Sequence, residues 1–329
     1  MRSICSFVEN TKKMHCVSHI LSLGHLIKHL PCTKSHTFLR RRFHYKALSN
    51  ATVSTTASCF KTLSSSQQDQ IHLYVDTLLQ WNQKMNLTAT KEADEVMERH
   101  IEDSLAILPP IKTCYNLHSS DLFDHINLID VGSGAGLPGL VLAIACPDWR
   151  VTLLESINKR CVFLEHVVNV TGLTNVTIVR GRAESCGHDV MYREKFDVAI
   201  ARAVAEMRVL AEYCLPLVRI GGLFVAAKGH DPKEEVQNAE NAVRLLGGSI
   251  LQISPVDSHS PYGQRTTVVC RKDHSTPQKY PREAEDPMYA YQLDTSTALI
   301  TSSWVFVMDY RHLKWVVRYI LNNFEHPVL

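Results

Sequence analysis

Apolar residues recur along the chain in two alternating patterns, and together these patterns predict an α/β fold. Short apolar runs between turn residues predict strands, whereas apolar residues three or four positions apart predict helices. The predicted strands are Asn127–Val131, Arg150–Glu155, Val176–Arg180, Phe196–Ala201, Leu223–Ala227, Ser249–Ser254 and Thr266–Arg271. The helices predicted among them are Leu140–Ala145, Asn158–Val170, Glu206–Val218 and Pro232–Leu246. This alternation favours a parallel, doubly wound sheet. Because only a loop separates the last two strands, we expect them to form an antiparallel hairpin at one edge.

Two local features refine this prediction. Gly221-Gly222 separates a helix from the fifth strand, and we expect this dipeptide to form a turn. In the helix over Asn158–Val170, the apolar spacing predicts that one face points inward. That face carries Val162, Phe163, Val167 and Val170.

Two segments before the first strand have helical apolar spacing and predict a small helical cap. The first segment is Gln67–Lys84, with Ile71, Val75, Leu78 and Leu79 on one face. The second, Glu92–Leu108, repeats the pattern and is expected to stop at Pro109-Pro110, because proline breaks helix interiors. The predicted organisation is a leader (1–66), a helical cap (67–110), a main domain (120–282) and a C-terminal tail (283–329).

Basic residues are concentrated in the first part of the chain. Residues 1–68 contain ten Lys/Arg and one acid, Glu9, whereas acids outnumber Lys/Arg in the rest. A basic, serine-rich and acid-poor leader is typical of an organellar transit peptide, and we expect a chloroplast location. A mitochondrion is the alternative, and the protein would be cytoplasmic if the leader were only a disordered N-terminus. Because the rest of the chain is acidic, overall charge does not argue for nucleic-acid binding.

Cysteine usage and hydropathy exclude several classes of protein. The ten cysteines include no C-x-x-C pair, and those outside the leader lie in apolar runs such as Ala145-Cys146-Pro147. We therefore expect reduced, buried cysteines, without a disulfide framework or a metal site. No uncharged apolar run reaches the roughly 18 residues that a membrane span requires, so none is predicted.

The stretch Asn127–Gly139 combines a buried strand, a glycine-rich turn and the start of a helix. Gly132, Gly134 and Gly136 allow a ligand to approach the backbone closely. A nucleotide-like ligand fits such a turn, because the helix beyond it begins with unpaired N–H groups. The next strand ends in Glu155, near the spacing of about 20 residues that is typical of a ribose-binding carboxylate. The alternative is that Glu155 caps the helix that follows it.

The hairpin at the end of the sheet distinguishes two classes of nucleotide-binding enzyme. An NAD-dependent oxidoreductase would repeat strand and helix to its end, in two matching halves. Five parallel strands and a closing hairpin are typical of a class I S-adenosylmethionine-dependent methyltransferase, whose sheet is Rossmann-like and seven-stranded. We therefore predict this fold, with the small helical N-terminal cap added to it, and keep the oxidoreductase as a disfavoured alternative.

Nine segments make the prediction more specific, because they occur together and in a fixed order. They are Trp81–Thr88, His100–Leu105, Leu128–Gly139, Leu153–Ser156, Lys159–Leu164, Gly181–Glu184, Ala201–Ala203, Lys228-Gly229 and Pro277–Arg282. This set resembles the bacterial ribosomal RNA small subunit methyltransferase G family, the 16S rRNA guanine-N7 methyltransferases once called glucose-inhibited division protein B. The resemblance covers about residues 67–287. Bacterial members lack the leader, and the match fades beyond Arg282, so Asp286–Leu329 receives no predicted function.

The resemblance implies S-adenosylmethionine as the cofactor and a set of residues that bind it. Those residues are Asp130, Gly132, Ser133, Gly134, Gly136, Leu137, Glu155, Ala183 and Glu184. Asp130 either anchors the glycine turn or reaches the amine of the cofactor. Glu155 would accept from the ribose, and Ala183-Glu184 would lie near the adenine, although Glu184 equally suits a helix start.

The implied partner is small-subunit ribosomal RNA, either naked or in the small-subunit particle, and we expect a monomer. Arg182, Arg202 and Lys228 each follow the end of a strand, where ligands bind in open α/β sheets. We expect these residues to bind phosphates or guanine O6, because a cation pressed against N7 would oppose its methylation. Arg202 and Lys228 would position the guanine, and no general base is expected because N7 has a free lone pair.

Two questions stay open. His100, Asp103 and Ser104 either pack the helical cap or close over the cofactor or the guanine. A non-catalytic RNA-binding or ribosome assembly factor with the same fold is the alternative function, although the intact glycine turn and Glu155 argue against it.

Overall fold

A seven-stranded sheet forms the centre of the protein in the computed structural model, which describes residues 58–118, 123–202, 204–256 and 264–282. Its strands are β1 (Asn127–Val131), β2 (Arg150–Glu155), β3 (Val176–Arg180), β4 (Phe196–Arg202), β5 (Val218–Lys228), β6 (Gly248–Val256) and β7 (Arg265–Lys272). Their order is β3-β2-β1-β4-β5-β7-β6. Strands β1 to β5 are parallel, and β7 is antiparallel to both β5 and β6. The predicted α/β methyltransferase fold and its closing hairpin are confirmed.

The strand order reverses at β1. From β1 the chain continues through β2 to β3 at one edge of the sheet, and it then places β4 on the other side of β1. In open α/β sheets, ligands bind at such a reversal, in the crevice beyond the carboxyl ends of the strands. The glycine-rich turn follows β1, and Arg202 ends β4. Both therefore lie at the carboxyl ends of the parallel strands.

The helical cap precedes β1 in the chain. Its helices are α1 (Ser65–Asn82), α2 (Ala93–Val96), α3 (Asp103–Leu105) and α4 (Leu108–His118), with a π-helical turn, Met97–Glu102, between α2 and α3. Helix α1 starts with a capping box: the Ser64 hydroxyl accepts from the Gln67 N–H, and the Gln67 side chain accepts from the Ser64 N–H.

Pro109-Pro110 begins a helix rather than ending one, which corrects the prediction for the cap. Helix α3 already ends at Leu105, and both prolines lie in the first turn of α4. The N–H groups of a first turn have no partner within the helix, so proline is tolerated there.

Residues before the predicted boundary at residue 66 also pack with the cap. The Glu102 carboxylate accepts hydrogen bonds from the Ser58 hydroxyl, the Cys59 N–H (2.9 Å) and the Phe60 N–H (3.3 Å). A short 3-10 helix, Cys59–Thr62, follows. Most of the predicted leader (residues 1–57) and the predicted tail (283–329) lie outside the described residues.

Five further helices cover the two faces of the sheet. They are α5 (Gly139–Ala145), α6 (Asn158–Thr171), α7 (Ala183–His188), α8 (Met207–Cys214) and α9 (Lys233–Leu245). Successive residues of β1 enter different hydrophobic cores: Leu128 packs in the core that includes α1, α5 and α6, and Ile129 in the core that includes α8 and α9. Because both faces are buried along most of β1 and β4, these inner strands have largely continuous apolar sequences.

The buried face of α6 differs from the prediction. Phe163 and Val167 are buried as expected, but Val162 is exposed and Val170 is only half-buried. Leu164 is buried in their place. Val162 precedes Phe163 by about 100° of helix rotation, which turns it away from the side that carries Leu164.

Strand β5 is longer than predicted and contains Gly221-Gly222, which we expected to form a turn. The strand starts at Val218, and its register with β4 shifts between Phe196 and Val198. A Cβ on Gly222 would lie 2.6 Å from the carbonyl oxygen of Asp197. Glycine is therefore needed where the two backbones approach each other within a bulge.

The segment after β7 is held against the domain by arginine side chains. Arg282 donates to both carboxylate oxygens of the buried Glu212 on α8, at 2.9 and 2.6 Å. Arg193 donates to the carbonyl oxygens of Thr276 (2.7 Å) and Tyr280 (2.9 Å). These contacts fix the chain up to the last described residue.

The described part of the chain contains seven cysteines, and five of them are buried. Within the same residues, no group of His, Cys, Asp and Glu side chains could hold a metal ion. None of the described helices is both long and apolar enough to span a membrane.

Candidate active site

The glycine-rich turn between β1 and α5 has a backbone that few side chains tolerate. The φ angles of Gly134 and Gly136 are +59° and +89°, in the left-handed region that favours glycine. A Cβ on Gly136 would collide with Leu140, so packing requires glycine there. A Cβ on Gly134 would instead enter open space, 3.8 Å from the nearest protein atom, which is the Gly132 carbonyl oxygen. Gly134 therefore borders a cradle that a side chain would fill.

Asp130, on β1, is fully buried next to this turn. Its Oδ2 accepts a hydrogen bond from the Gly139 N–H at 3.0 Å, which anchors the start of α5. Its Oδ1 has no hydrogen-bond partner among the described residues. Burial raises the pKa of Asp130 to about 7. A buried carboxylate oxygen without a donor suits a cationic group of a ligand, such as an amine.

Glu155 connects the glycine turn to the helix after β2. Its Oε2 accepts from the Gly134 N–H at 2.9 Å, and its Oε1 accepts from the Ile157 N–H at 2.8 Å, just before α6. Arg160 lies 3.8 Å from Oε2. The helix-capping alternative is therefore present in the structure. It does not preclude ribose binding, because an ionised carboxylate offers about four acceptor positions.

Tyr74 of α1 fixes the glycine turn from the cap, and sequence analysis did not single it out. Its hydroxyl donates to the Ala135 carbonyl oxygen at 2.8 Å, and its side chain is fully buried. Burial raises the pKa of Tyr74 far above its usual range, so the phenol stays protonated. The available signal was spacing: Tyr74 lies three residues after Ile71 and four before Leu78, on the inward face of α1.

The other predicted cofactor residues support the turn or follow β3. The Ser133 hydroxyl donates to the Asp130 carbonyl oxygen at 3.0 Å, and Leu137 is buried in the core. Ala183 and Glu184 begin α7, and Glu184 is the buried acid of its first turn. Ser133 and Leu137 therefore shape the turn from inside the protein.

A cavity of about 230 Å³ lies between the helical cap and the carboxyl ends of β4 and β5. The titratable residues in its wall are Arg99, His100, Asp103, Arg202, Lys228 and Arg265. Four of them carry positive charge and one carries negative charge, so the cavity attracts anionic groups such as those of a nucleic acid. The structure thus brings together Arg202 and Lys228, whereas Arg182 is not part of this wall.

Arg202 is half-buried in the cavity wall, at the end of β4. In the described part of the chain, no group makes a hydrogen bond with its guanidinium. Burial lowers the pKa of Arg202, and the nearby Tyr74, Asp103 and Asp130 oppose that change. An arginine stays charged in proteins, so Arg202 presents a fork of unused N–H donors to a ligand.

Lys228 and Arg182 already have partners in the protein. The Lys228 ammonium donates to the Ala205 carbonyl oxygen at 2.8 Å and to Glu235 at 2.6 Å. The exposed Arg182 donates to Glu184 at 2.8 Å. RNA contacts by these two residues stay predictions. The structure gives Lys228 a further task, which is to fix the loop before α8.

The His100 motif has packing contacts within the cap and also faces the cavity. The His100 Nε2 atom lies 2.9 Å from the Thr88 hydroxyl and 3.2 Å from the Thr90 hydroxyl, inside the cap. Burial, followed by the charges of nearby arginines, lowers the pKa of His100 to about 4, so it is neutral at pH 7. Asp103 Oδ2 accepts from Arg265 Nε at 3.0 Å. His100 and Asp103 also line the cavity, so the motif packs the cap, and closure over the cofactor or the guanine stays a prediction.

Arg99 and Arg265 are cavity residues that sequence analysis missed. For Arg265 a signal existed in the predicted hairpin. Strand β7 runs antiparallel to β5, with Thr266 opposite Lys228. The first residues of β7 therefore lie at the edge where the parallel strands end.

The family of the chain follows from its sequence. A family model described as rRNA small subunit methyltransferase G matches residues 67–262. The chain belongs to this family. The ribosomal RNA small subunit methyltransferase G of Alkaliphilus metalliredigens is 43% identical over 225 residues, which cover 68% of this chain and 90% of that relative. The protein of the same name from Acetivibrio thermocellus is 42% identical over 227 residues, with coverages of 68% and 88%.

Among solved structures, the chain is similar to Aeropyrum pernix fibrillarin in complex with natively bound S-adenosyl-L-methionine. The TM-score is 0.36 at 16% sequence identity, over 48% of this chain and 73% of that chain. A likeness at this level carries no functional argument.

Membership of the methyltransferase G family identifies the cofactor of the protein. The cofactor is S-adenosylmethionine, and the NAD-dependent alternative is dropped. The residues fit this cofactor. Gly134 borders an open cradle, Asp130 offers an unpartnered oxygen that would hold the amine, and Glu155 has acceptor positions for ribose hydroxyls.

Proposed function

We propose that this protein transfers a methyl group from S-adenosylmethionine to N7 of a guanine in the small-subunit ribosomal RNA of an organelle. The observation that carries the proposal is the basic cavity at the end of β4. This strand is the parallel neighbour of β1, which bears the glycine turn. A substrate base in the cavity and a cofactor on the turn would therefore occupy adjacent parts of one crevice. The substrate named by the relatives, small-subunit ribosomal RNA, supports the same conclusion.

The groups in the cavity suit a nucleophile that needs no deprotonation. Guanine N7 has a lone pair and no proton at neutral pH, and S-adenosylmethionine supplies an activated methyl group when bound. His100 would be a poor base, because its Nε2 is engaged by two threonine hydroxyls and its pKa is about 4. Positioning alone can lower a barrier by roughly 7–11 kcal/mol in favourable cases.

Arg202 would hold the guanine through O6 or a neighbouring phosphate. Its guanidinium has donors to spare, and arginine is suited to planar, two-pronged contacts. A contact with N7 itself would work against the reaction, because methylation makes that ring cationic. We therefore assign Arg202 a positioning role beside the reacting atom.

The organellar part of the proposal depends on the leader. Its ten Lys/Arg and single acid have the composition of a transit peptide, and the relatives quoted above are bacterial. We propose a chloroplast, with a mitochondrion as the alternative. A fusion of the full chain to a fluorescent protein, compared with a fusion that starts at Ser58, tests this. Plastid fluorescence that disappears without the leader supports the proposal, and cytosolic fluorescence from the full chain contradicts it.

The activity is tested with the full chain, radiolabelled S-adenosylmethionine and small ribosomal subunits from a bacterial strain that lacks its guanine-N7 enzyme. Borohydride reduction followed by aniline cleavage maps N7-methylguanine along the RNA. We expect cleavage at one guanine, and a large loss of it in Glu155→Gln and Arg202→Gln. Arg150→Gln is the matched control, because Arg150 is exposed at the amino end of β2, away from the crevice.

The outcomes separate the enzyme from a non-catalytic assembly factor. If folded protein binds the particle but neither binds the cofactor nor methylates the RNA, the assembly-factor alternative is correct. If it binds the cofactor and modifies an atom other than guanine N7, the family assignment holds and the proposed target does not. Equal losses in Arg202→Gln and Arg150→Gln would remove Arg202 from its positioning role.

A further inference from the structure

Two buried side chains in the cavity wall have polar atoms without a hydrogen-bond partner in the described part of the chain. Asp103 is 6% exposed, and its Oδ1 has no donor although Oδ2 is paired with Arg265. Thr267 is 0% exposed, and its hydroxyl is also without a partner. Both residues line the same cavity as Arg202. Buried polar atoms are normally satisfied, so these atoms indicate a ligand that completes their hydrogen bonds.

The chemistry of these groups specifies that ligand. Asp103 contributes an acceptor that carries negative charge, Arg202 contributes donors, and the Thr267 hydroxyl can do either. At about 230 Å³ the cavity is smaller than the roughly 300–1,000 Å³ of sites for drug-sized ligands, which suits one extruded base. Guanine has the matching pattern on its Watson–Crick edge: N1–H and the 2-amino group donate, and O6 accepts.

We infer that Asp103 recognises the Watson–Crick edge of the target guanine by accepting from N1–H and the 2-amino group. This inference rests on the proposed function and adds a specificity-determining residue to it. With Asp103 on that edge and Arg202 toward O6, N7 on the opposite edge of the purine stays free of protein cations. Arg265 holds the carboxylate in place through Oδ2 and leaves Oδ1 for the base.

The same arrangement rejects adenine. Adenine N1 is an acceptor and would face the Asp103 carboxylate, while the adenine 6-amino group would face the Arg202 donors. A wrong base that leaves buried polar groups of the site unpaired is rejected more strongly than a base that only lacks one favourable contact. Adenine has an N7 atom as well, so the reacting atom does not distinguish the two purines. Rejection of adenine at the Watson–Crick edge explains how an enzyme without a general base would select guanine.

The test compares guanosine and inosine at the modified position. Inosine keeps N1–H, O6 and N7 and lacks only the 2-amino group. Small subunits are reconstituted with 16S-type RNA that carries either nucleoside at the position mapped with the wild-type protein. For wild-type protein we expect kcat/KM to fall at least tenfold from guanosine to inosine. For Asp103→Asn we expect lower kcat/KM on guanosine and less than a threefold difference between the two substrates.

Arg265→Gln is the matched control, because it breaks the same ion pair and keeps the carboxylate. It should retain the preference for guanosine even if its activity is lower. Circular dichroism and cofactor affinity show whether each variant is folded. If Asp103→Asn loses activity equally on both substrates, or wild-type protein does not distinguish them, Asp103 has only a structural role. If wild-type protein methylates neither substrate, the proposed function fails rather than this inference.

Discussion

Gly134→Ala separates the cofactor-binding role of the glycine turn from its structural role. The new Cβ would have no protein atom closer than 3.8 Å, so the substitution causes no collision within the protein. Its cost to folding comes from the φ of +59°, which an L-residue adopts at a cost of about 1–2 kcal/mol. Reduced freedom of the unfolded chain offsets about 0.4–1 kcal/mol of that. We therefore expect a net loss of about 1 kcal/mol and a decrease in Tm of about 2–4 °C.

Cofactor binding should respond much more strongly than stability. The methyl group would occupy the cradle where a ligand approaches the Gly134 backbone, about 1.5 Å beyond the Cα surface. Because a misplacement of about 1 Å can cost 100-fold in rate, we expect methyl transfer to become hard to detect. Affinity for S-adenosylmethionine should fall at least tenfold, which corresponds to about 1.4 kcal/mol. Isothermal titration calorimetry measures the affinity, and thermal denaturation without ligand measures the stability.

Gly172→Ala provides the matched control. Gly172 ends α6 with a φ of +67°, and a Cβ there would have no protein atom within 4 Å. Its stability loss should equal that of Gly134→Ala, while its cofactor affinity should match wild-type protein. If Gly134→Ala also binds the cofactor like wild-type protein, the cradle is not where the cofactor lies. Equal losses of affinity in both variants would show a general effect of backbone strain.

Three further outcomes are expected. Because the charged form of Asp130 attracts the cofactor amine and its pKa is about 7, affinity should decline as pH falls below about 7. Asp130→Asn should bind more weakly without this pH dependence, and an unchanged pH profile in titration calorimetry would contradict the role of Asp130. Tyr74→Phe leaves the Ala135 carbonyl oxygen without its donor. In urea titrations it should lower the free energy of unfolding by about 1–3 kcal/mol. A loss below about 0.5 kcal/mol would mean that water replaces the hydroxyl. Glu212→Ala removes the buried carboxylate that pairs with Arg282 and should cost about 3–5 kcal/mol in the same assay. A loss near zero would show that this ion pair does not hold the C-terminal segment.

The sequence was sufficient for the elements whose environment is local and uniform. The bounds of β1, β2 and β3 agree with the prediction. For β1 and β2 the reason is that strands inside the sheet have apolar runs with clear ends. The sequence was insufficient where the backbone of a residue far away in the chain determines the local conformation. Gly221-Gly222 looked like a turn, and only the approach of the Asp197 carbonyl oxygen shows why the glycines lie within β5.

The candidate site divides in the same way. Gly134 and Glu155 were predictable from spacing along adjacent elements, and the structure places them in contact. For Tyr74 and Arg265 the sequence indicated only a helix face and a sheet edge, because the group that each one bonds lies far away in the chain. The internal ion pair of Lys228 with Glu235 was also missed, since a lysine at a strand end looks equally free or paired in sequence.

The position of β7 between β5 and β6 has a consequence for folding during synthesis. Strand β6 leaves the ribosome first, but its partner in the sheet is β7, so it must wait for later residues. A chain truncated after residue 256 would leave the β5 edge unpaired, which promotes aggregation. Such a chain would also lack Arg265, Thr266 and Thr267, and with them one wall of the cavity. The strand that closes the sheet therefore also completes the cavity, and a chain that ends before β7 has neither.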